Sequence, residues 1–324
     1  MADWRAVIEL IRARHEFVLL THVNPDGDAI GAQLGLLRAL KALGKDARAL
    51  ADTPVPGKYA FLDHQEIAVQ RTCDHRDAEV MFALDIATWQ RLGACAGPLL
   101  TGRAVKVVID HHPPTDAPPG DINVIATDYT STSELVQELV EAMGLPLTRE
   151  IAEPLYVGML TDTGKFSYGN GLSLAHLAAA RLLATGVDAR AIDDAVYQRS
   201  SLARLKLVGV TLERLTVTAA GRLAHTWLTR DDLARAGIAP DDMEGFIDYI
   251  RTLRDAEIFI ILWETADGRV KGSMRSRGRV KINKLAEHLG GGGHEFAAGF
   301  ILSTTLTDGI PHTLALAEQV LREA

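Results

Sequence analysis

Phe17-Val-Leu-Leu20 runs straight into Thr21-His-Val-Asn-Pro-Asp-Gly-Asp28. The first part is wholly apolar, as expected of a short strand buried on both faces. The second is polar and broken by Pro25 and Gly27, which predicts a loop from Thr21 to Asp28. The pattern recurs twice. Val80-Met-Phe-Ala-Leu84 ends at Asp85, and Val105-Lys-Val-Val-Ile109 ends at Asp110-His-His112. Around these runs the spacing is helical. Trp4, Val7, Ile8 and Ile11 predict an opening helix over 4–14. Ala29–Leu43 reads as a second helix, stopped by Gly44. Ser131 and Glu134 have capping-box spacing ahead of a helix over 132–143. Further helices are expected at 148–161, 173–185, 188–198 and 200–213. Strands alternating with helices predict an α/β domain: a parallel sheet with helices on both faces.

From about residue 216 the pattern changes. Short strands (223–228, 256–263, 269–275, 296–302) mix with helices (230–236, 241–253, 281–289, 312–322), an α+β reading. The chain therefore divides into a first domain over 1–190, a helical linker over 191–215, and a smaller domain over 216–324.

At 324 residues, two domains are expected. Apolar residues at 47% and charged residues at 23% exclude a disordered chain. Lys and Arg total 34 against 42 Asp and Glu, a net charge of −8. A protein held to duplex DNA by its overall field would be basic, so any anionic partner must be met locally. The longest strongly apolar run, Ile258–Trp263, is far short of the ~20 residues of a membrane span. The opening residues mix charges into every turn, unlike a secretory signal. Cys73 and Cys95 read as unpaired, buried thiols that suit a reducing compartment. The expectation is a soluble cytoplasmic protein.

In open α/β sheets, ligands bind beyond the carboxyl ends of the strands. His22, Asp26, Asp28, Asp85, Asp110, His111 and His112 should therefore converge on one rim. A lone Asp at a strand end commonly caps a helix, but three strand ends carrying ligand-type residues exceed what capping requires. So many carboxylates cannot stay ionised side by side without cations. Mixed Asp and His donors suit a first-row divalent ion such as Mn²⁺ over Mg²⁺ or Zn²⁺. Asp162, in Thr161-Asp-Thr-Gly164, adds a further donor at the end of the helix over 148–161. Four clusters suit two ions better than one. Asp85, alone at its strand end, is the natural bridge.

The second domain holds two more signals. Gly268–Lys284 contains Arg269, Lys271, Arg275, Arg277, Arg279, Lys281 and Lys284 and no acid, a local reversal of charge suited to phosphate. Gly290-Gly-Gly-Gly-His294 and Ala297-Ala-Gly299 follow, and a Gly run lets backbone N–H groups approach an anion closely.

Together these residues resemble the DHH phosphoesterase family with the DHHA1 type of C-terminal domain. His22–Gly31 is similar to the first family motif, Asp85 to the second, Asp110-His-His112 to the third and Thr161–Phe166 to the fourth. Gly290–His294 with Ala297–Gly299 resembles the substrate-binding motif of the DHHA1 domain. The resemblance implies an active site in the cleft between the domains and two Mn²⁺ ions, with Mg²⁺ as an alternative. It implies one ion on His22, Asp26 and Asp85, and another on Asp28, Asp85, His111 and Asp162. Asp110 would orient the histidines, and His112 would face the phosphate. Arg275, Arg277, Gly291, Gly292, Gly293 and His294 would hold the nucleotide. A homodimer through the first domain is expected by resemblance alone.

Within the family, the chain is too short for the extra domains of RecJ-type exonucleases or the membrane and sensory segments of cyclic-di-AMP phosphodiesterases. Family II pyrophosphatases lack the Gly-Gly-Gly-His element. The short form similar to nanoRNase/pAp phosphatases remains. Its implied reaction is hydrolysis of very short single-stranded RNA to mononucleotides by a metal-activated hydroxide, with removal of the 3′-phosphate of 3′-phosphoadenosine 5′-phosphate as a second activity. The alternatives are cleavage of linear or cyclic dinucleotides, single-strand DNA exonuclease action, and a nucleotide-binding regulator without catalysis. Ala32, where relatives commonly carry Ser, and Glu295, beside the glycines, depart from the pattern.

Overall fold

The computed structural model describes residues 2–62, 64–69, 78–86, 88–95, 97, 101–113, 120–167, 171–239, 243 and 245–323. Cys73 and the side chain of Cys95 lie outside the described residues. The chain forms two units, Met1–Arg199 and Ser200–Ala324.

The first unit carries helices α1 (Arg5–Ala13), α2 (Gly27–Ala42), α3 (Thr132–Ala142), α4 (Arg149–Asp162), α5 (Leu172–Leu183) and α6 (Ala189–Tyr197). Its strands are β1 (Glu16–Leu20), β2 (Asp46–Ala51), β3 (Ile67–Val69), β4 (Val80–Leu84), β5 (Val105–Asp110) and β6 (Ile122–Ile125). They form one sheet in the order β3-β2-β1-β4-β5-β6, parallel throughout. Phe17 and Leu19 face one core with Phe82, Leu84, Val107 and Ile109. Val18 and Leu20 face the other with Met81, Ala83 and Val108. Burial on both faces is the reason the runs are continuously apolar. The strand order reverses between β1 and β4, which makes their carboxyl ends the switch point where such sheets bind ligands.

β2, β3 and β6 were not expected from the sequence. They lie outside the central β1-β4-β5 trio, and β2 opens on the exposed Asp46 and Arg48, which interrupt the apolar run that would announce it. α2 also starts earlier than Ala29. Asp26 accepts hydrogen bonds from Asp28 N and Ala29 N, both at 3.1 Å. This cap draws Gly27 and Asp28 out of the expected loop and into the first helical turn.

α2 crosses α4 on a seam of small residues. A Cβ on Gly27 would meet the Thr161 side chain, and one on Gly35 the Leu155 side chain. A Cβ on Gly31 would overlap the Pro154 carbonyl oxygen and lie 3.0 Å from Gly158 N. Pro154 stands inside α4, so it offers no N–H to the carbonyl of Glu150 one turn back. Arg38 of α2 fills that role, donating from Nη1 to Glu150 O at 2.8 Å. It also donates to Leu62 O at 2.8 Å and pairs with Glu66 at 2.9 Å.

The second unit holds α7 (Leu202–Glu213), β7 (Thr216–Thr218), β8 (Leu223–Leu228), α8 (Arg230–Ala236), α9 (Phe246–Arg251), β9 (Ile258–Glu264), β10 (Val270–Ser276), α10 (Asn283–His288), β11 (Gly292–His294), β12 (Ala297–Leu302) and α11 (Leu306–Glu323). Its mixed sheet runs β11-β12-β10-β9-β8-β7, with only β8 and β9 parallel. One core lies towards α10 and α11, through Leu285, Ala317 and Leu321. The other gathers Leu207, Val208, Phe246 and Ile250 against Phe259 and Trp263. The stretch 191–215 is shared between the units: α6 belongs to the first, and α7 packs in the second. The helix expected over 241–253 is formed at Phe246–Arg251; residues 240–242 and 244 lie outside the described residues.

Gly31→Ala should destabilise the first unit, because the added methyl meets backbone atoms that cannot rotate away. A loss of about 1–3 kcal/mol is expected for such overpacking. Denaturant midpoints compared with wild type would measure it, and an unchanged midpoint would remove the seam as a constraint.

Candidate metal centre

Three strand ends and two helix ends build the site. β1 delivers His22 and β4 delivers Asp85, side by side across the switch point. β5 delivers Asp110, His111 and His112. The first turn of α2 brings Asp26 and Asp28, and the last residue of α4 is Asp162. Among the described residues, three groups could hold a cation: His22, Asp26 and Asp85; Asp28, His111 and Asp162; and Asp85, His111 and His112. Within each group the ligand atoms lie within 4.8 Å of one another.

Asp85 links the groups. Its Oδ2 is 3.4 Å from His22 Nε2, and its Oδ1 is 3.8 Å from His111 Nε2 and 3.4 Å from His112 Nδ1. The two oxygens of one carboxylate thus face different histidines. Asp85 is buried and has a left-handed backbone, φ 59°, a conformation that costs a non-glycine residue and gathers at functional sites. His111 Nε2 stands 3.2 Å from Asp162 Oδ2 and 4.0 Å from Asp28 Oδ2. Asp26 lies at the rim, half-exposed, with Oδ1 3.9 Å from His22 Nε2. The same Oδ1 caps α2, so the ordinary reading of this Asp as a cap holds beside the metal reading.

The surrounding contacts set orientation. His22 Nδ1 lies 2.9 Å from its neighbour's carbonyl, Val23 O. A proton there leaves Nε2 as a lone pair, and this buried Nε2 has no hydrogen-bond partner among the described residues. Asp110 Oδ1 accepts from His112 N at 3.0 Å and His112 Nδ1 at 2.7 Å. Asp110 therefore orients His112 rather than joining a ligand group.

Sequence reasoning missed the start of α3. Thr132 N and Ser133 N donate to the two carboxylate oxygens of Asp28, at 2.6 and 2.9 Å. Thr132 Oγ1 donates to Asp85 Oδ1 at 3.1 Å. The first N–H groups of a helix lack internal partners, so the helix start expected at Ser131 was the signal available. Only half of the expected capping box forms. Ser131 Oγ accepts from Glu134 N at 3.1 Å, but the Glu134 carboxylate turns to Thr130 N and Oγ1, at 2.9 and 2.8 Å.

The electrostatics show a shortage of positive charge. Burial first, and then Asp85, push Asp28 up to about 7. Asp162 is also raised, by burial and by the carboxylates of Asp28, Asp26 and Asp85. Burial would lower both His22 and His112, yet the nearby carboxylates, Asp85 beside His22 and Asp110 beside His112, raise them. Burial would raise Asp85, but His22, His112 and His111 hold it well below its usual value. Four of these groups cling to protons, as a carboxylate cluster does without a cation. The donor set and the unpartnered His22 Nε2 both fit a divalent metal ion.

In the second unit, Arg275 and Arg277 leave the end of β10. Arg275 Nη1 donates to Met274 O at 3.0 Å. Arg277 donates to Ala256 O at 3.0 Å, Arg251 O at 3.2 Å and Leu253 O, and lies 5.5 Å from the centre of the Phe259 ring. The glycine run has backbone duties of its own. Gly290, φ 75°, follows the end of α10, where Gly291 N bonds Ala286 O at 2.8 Å. A Cβ on Gly291 would overlap Gly299 O, and one on Gly293 would lie 2.6 Å from Ala297 O. Gly292 alone of these three opens onto free space. His294 pairs with Ala297 through its backbone, and its side chain lies outside the described residues. Part of the basic stretch is already paired: Arg269 with Asp267 at 2.8 Å, and Lys281 with Glu295 at 2.5 Å.

Residues 16–159 match the family described as the DHH family, N-terminal domain, and residues 221–323 match the DHHA1 domain. The chain is 36% identical over 299 residues to the bifunctional oligoribonuclease and PAP phosphatase NrnA of Thermus thermophilus, covering 92% of this chain and 88% of the relative. It is 27% identical over 297 residues to the protein of the same name from Bacillus subtilis, covering 90% and 91%. An exopolyphosphatase-related protein from Bacteroides fragilis shares the fold with a TM-score of 0.88 at 28% identity, covering 98% of this chain and 95% of that one. Among the described residues, no helix is long and apolar enough to cross a membrane.

The raised groups set a pH dependence. Asp28 favours folding below the ordinary carboxylate range, and that contribution is lost as pH rises through about 7. Asp162, His22 and His112 act in the same direction. Asp85 acts oppositely, but only below its usual value. From these groups the metal-free protein should melt at lower temperature at about pH 8 than at about pH 5.5, while the increment from added Mn²⁺ grows over the same interval. An increment that shrinks with rising pH would contradict the assignment.

Proposed function

The chain belongs to the DHH family and carries a DHHA1 domain, and from that premise we propose that it is a metal-dependent phosphoesterase that cleaves very short oligoribonucleotides to mononucleotides and removes the 3′-phosphate of 3′-phosphoadenosine 5′-phosphate. The supporting observation is Asp85, whose two oxygens face separate ligand groups at the sheet's switch point. In this reading His22, Asp26 and Asp85 hold one divalent ion. Asp28, Asp85, His111 and Asp162 hold a second. Mn²⁺ suits the mixed donors, and Mg²⁺ can replace it. The pair would supply a hydroxide at neutral pH and neutralise charge on the phosphoryl oxygens.

The chain's own residues do the rest. The N–H groups of Thr132 and Ser133 aim both oxygens of Asp28 and favour its ionised form against the burial that raises it, as helix starts favour anions. Thr132 Oγ1 does the same for Asp85. Asp110 fixes the ring of His112, which is proposed to meet a phosphoryl oxygen and to hold the proton that burial alone would remove. The second unit grips the nucleotide through Arg275 and the Gly291–His294 edge, with Arg277 bracing the turn beside them. The names of the two NrnA relatives supply the substrate class. A cytoplasmic setting follows from the same reading.

Product analysis in Mn²⁺ tests it. The substrates are an RNA dinucleotide, an RNA pentamer, a long RNA, a DNA pentamer, a cyclic dinucleotide and 3′-phosphoadenosine 5′-phosphate. Mononucleotides from the two short RNAs, a slow long RNA and phosphate from the last compound are the expected result. Preference for the long RNA, for DNA or for the cyclic dinucleotide would move the protein to another activity of the family.

Asp85→Asn should lower turnover by about a thousandfold or more, since it removes charge shared by both proposed ions. Bound metal, measured after gel filtration, should fall in parallel. Wild-type turnover with full metal content would overturn the bridging role.

A further inference from the structure

Glu257 is an acid in an unexpected place. It precedes β9, is buried, and faces the turn that carries the arginines out of β10. Its Oε1 accepts from Ser276 Oγ at 3.1 Å, Arg279 N at 2.9 Å and Val280 N at 3.2 Å. Its backbone carbonyl accepts from Arg277 N at 2.9 Å. One residue therefore grips the turn over 276–280 at four points.

Among the described residues the three partners of the carboxylate are neutral: one hydroxyl and two successive backbone N–H groups. Burying a carboxylate against neutral donors is costly, and an apolar residue would serve packing alone at least as well. Successive N–H groups converging on one oxygen form an anion-holding concavity, which here is filled from within by the protein's own side chain. The turn is held from the other side too, since the Arg277 guanidinium is spent on the carbonyls of Arg251, Leu253 and Ala256. Arg275, which bonds Met274 O at the end of β10 just before the turn, and the exposed Arg279 on it are then the guanidinium groups that this clamped turn sets beside one another.

We propose that Glu257 is a positioning residue for nucleotide binding: its carboxylate fixes the turn over 276–280 so that Arg275 and Arg279 meet a substrate phosphate without first having to be ordered. The proposal rests on the phosphoesterase reading above. It also assigns Arg279, rather than Arg277, as the second arginine for phosphate. Preorganisation of this kind acts on binding more than on the chemical step.

The test compares wild type, Glu257→Ala, Glu257→Gln, Ser276→Ala and Arg279→Ala, each loaded with Mn²⁺. The substrates are an RNA dinucleotide and bis(p-nitrophenyl) phosphate, which offers the metal centre an ester and the second unit no nucleotide. A wild type inert on the dinucleotide but active on the small ester would sink the substrate reading itself, separately from the role of Glu257. With the dinucleotide cleaved, Glu257→Ala should raise KM about tenfold with kcat within about twofold, the scale of lost buried hydrogen bonds. Glu257→Gln should stay within about threefold of wild type, because its amide oxygen still accepts. Arg279→Ala should raise KM at least about fivefold, as loss of a charged phosphate contact does. Unchanged KM in folded Glu257→Ala or in Arg279→Ala would overturn the proposal. So would equal losses on both substrates, or a Glu257→Gln as poor as Glu257→Ala. Should Glu257→Ala fail to fold, Ser276→Ala decides: it removes one donor, and a KM that does not rise overturns the idea.

Discussion

Like charges forced together organise this molecule. Asp28, Asp85 and Asp162 converge with His22, His111 and His112 in a space where every group is within a few ångströms of another. Carboxylates so placed must be neutralised by protons or by a cation. In the metal-free chain they are met by protons, which is why Asp28 and Asp162 are raised together with His22 and His112. Asp85 is the exception because three histidines surround it. A divalent ion answers the same need with a directed charge, and the fold is arranged so that it could.

Holding these groups against their repulsion requires a stiff frame, and the first unit supplies it with backbone. The Gly27, Gly31 and Gly35 seam lets α2 lie close on α4, which brings Asp28, in the first turn of α2, and Asp162, the last residue of α4, to the same end of the crossing. Pro154 would weaken α4 at that crossing, but Arg38 takes up the carbonyl it leaves free. The start of α3 then adds two N–H donors to Asp28. Each device is small. Together they keep a buried acidic cluster in register.

The second unit differs in gathering positive charge, over Gly268–Lys284, in a chain of net −8. Its basic stretch is not a loose cationic tail. Arg269, Lys281 and Arg277 are each occupied within the unit, and the glycines shape the end of α10 and the edge strand β11. Arg279, also exposed, stands on a turn clamped from within by Glu257.

Much of this was legible in one dimension. Apolar runs ending in Asp and His state both the parallel sheet and the rim where its ligands gather, because strand burial and strand direction are local properties. The acids and histidines that gather at that rim could be named residue by residue for the same reason. The outlying strands β2, β3 and β6 could not be read, since their pairing depends on a neighbour rather than on their own pattern. Nor could the division of labour among the arginines, because whether a guanidinium meets a ligand or a backbone carbonyl is settled by what packs beside it. The sequence by itself determined which groups carry charge and at which strand ends they stand. Only the tertiary structure decided which oxygen faces which nitrogen, because helix crossings and helix starts brought from more than 100 residues away, as Thr132 and Ser133 are to Asp28, set those distances.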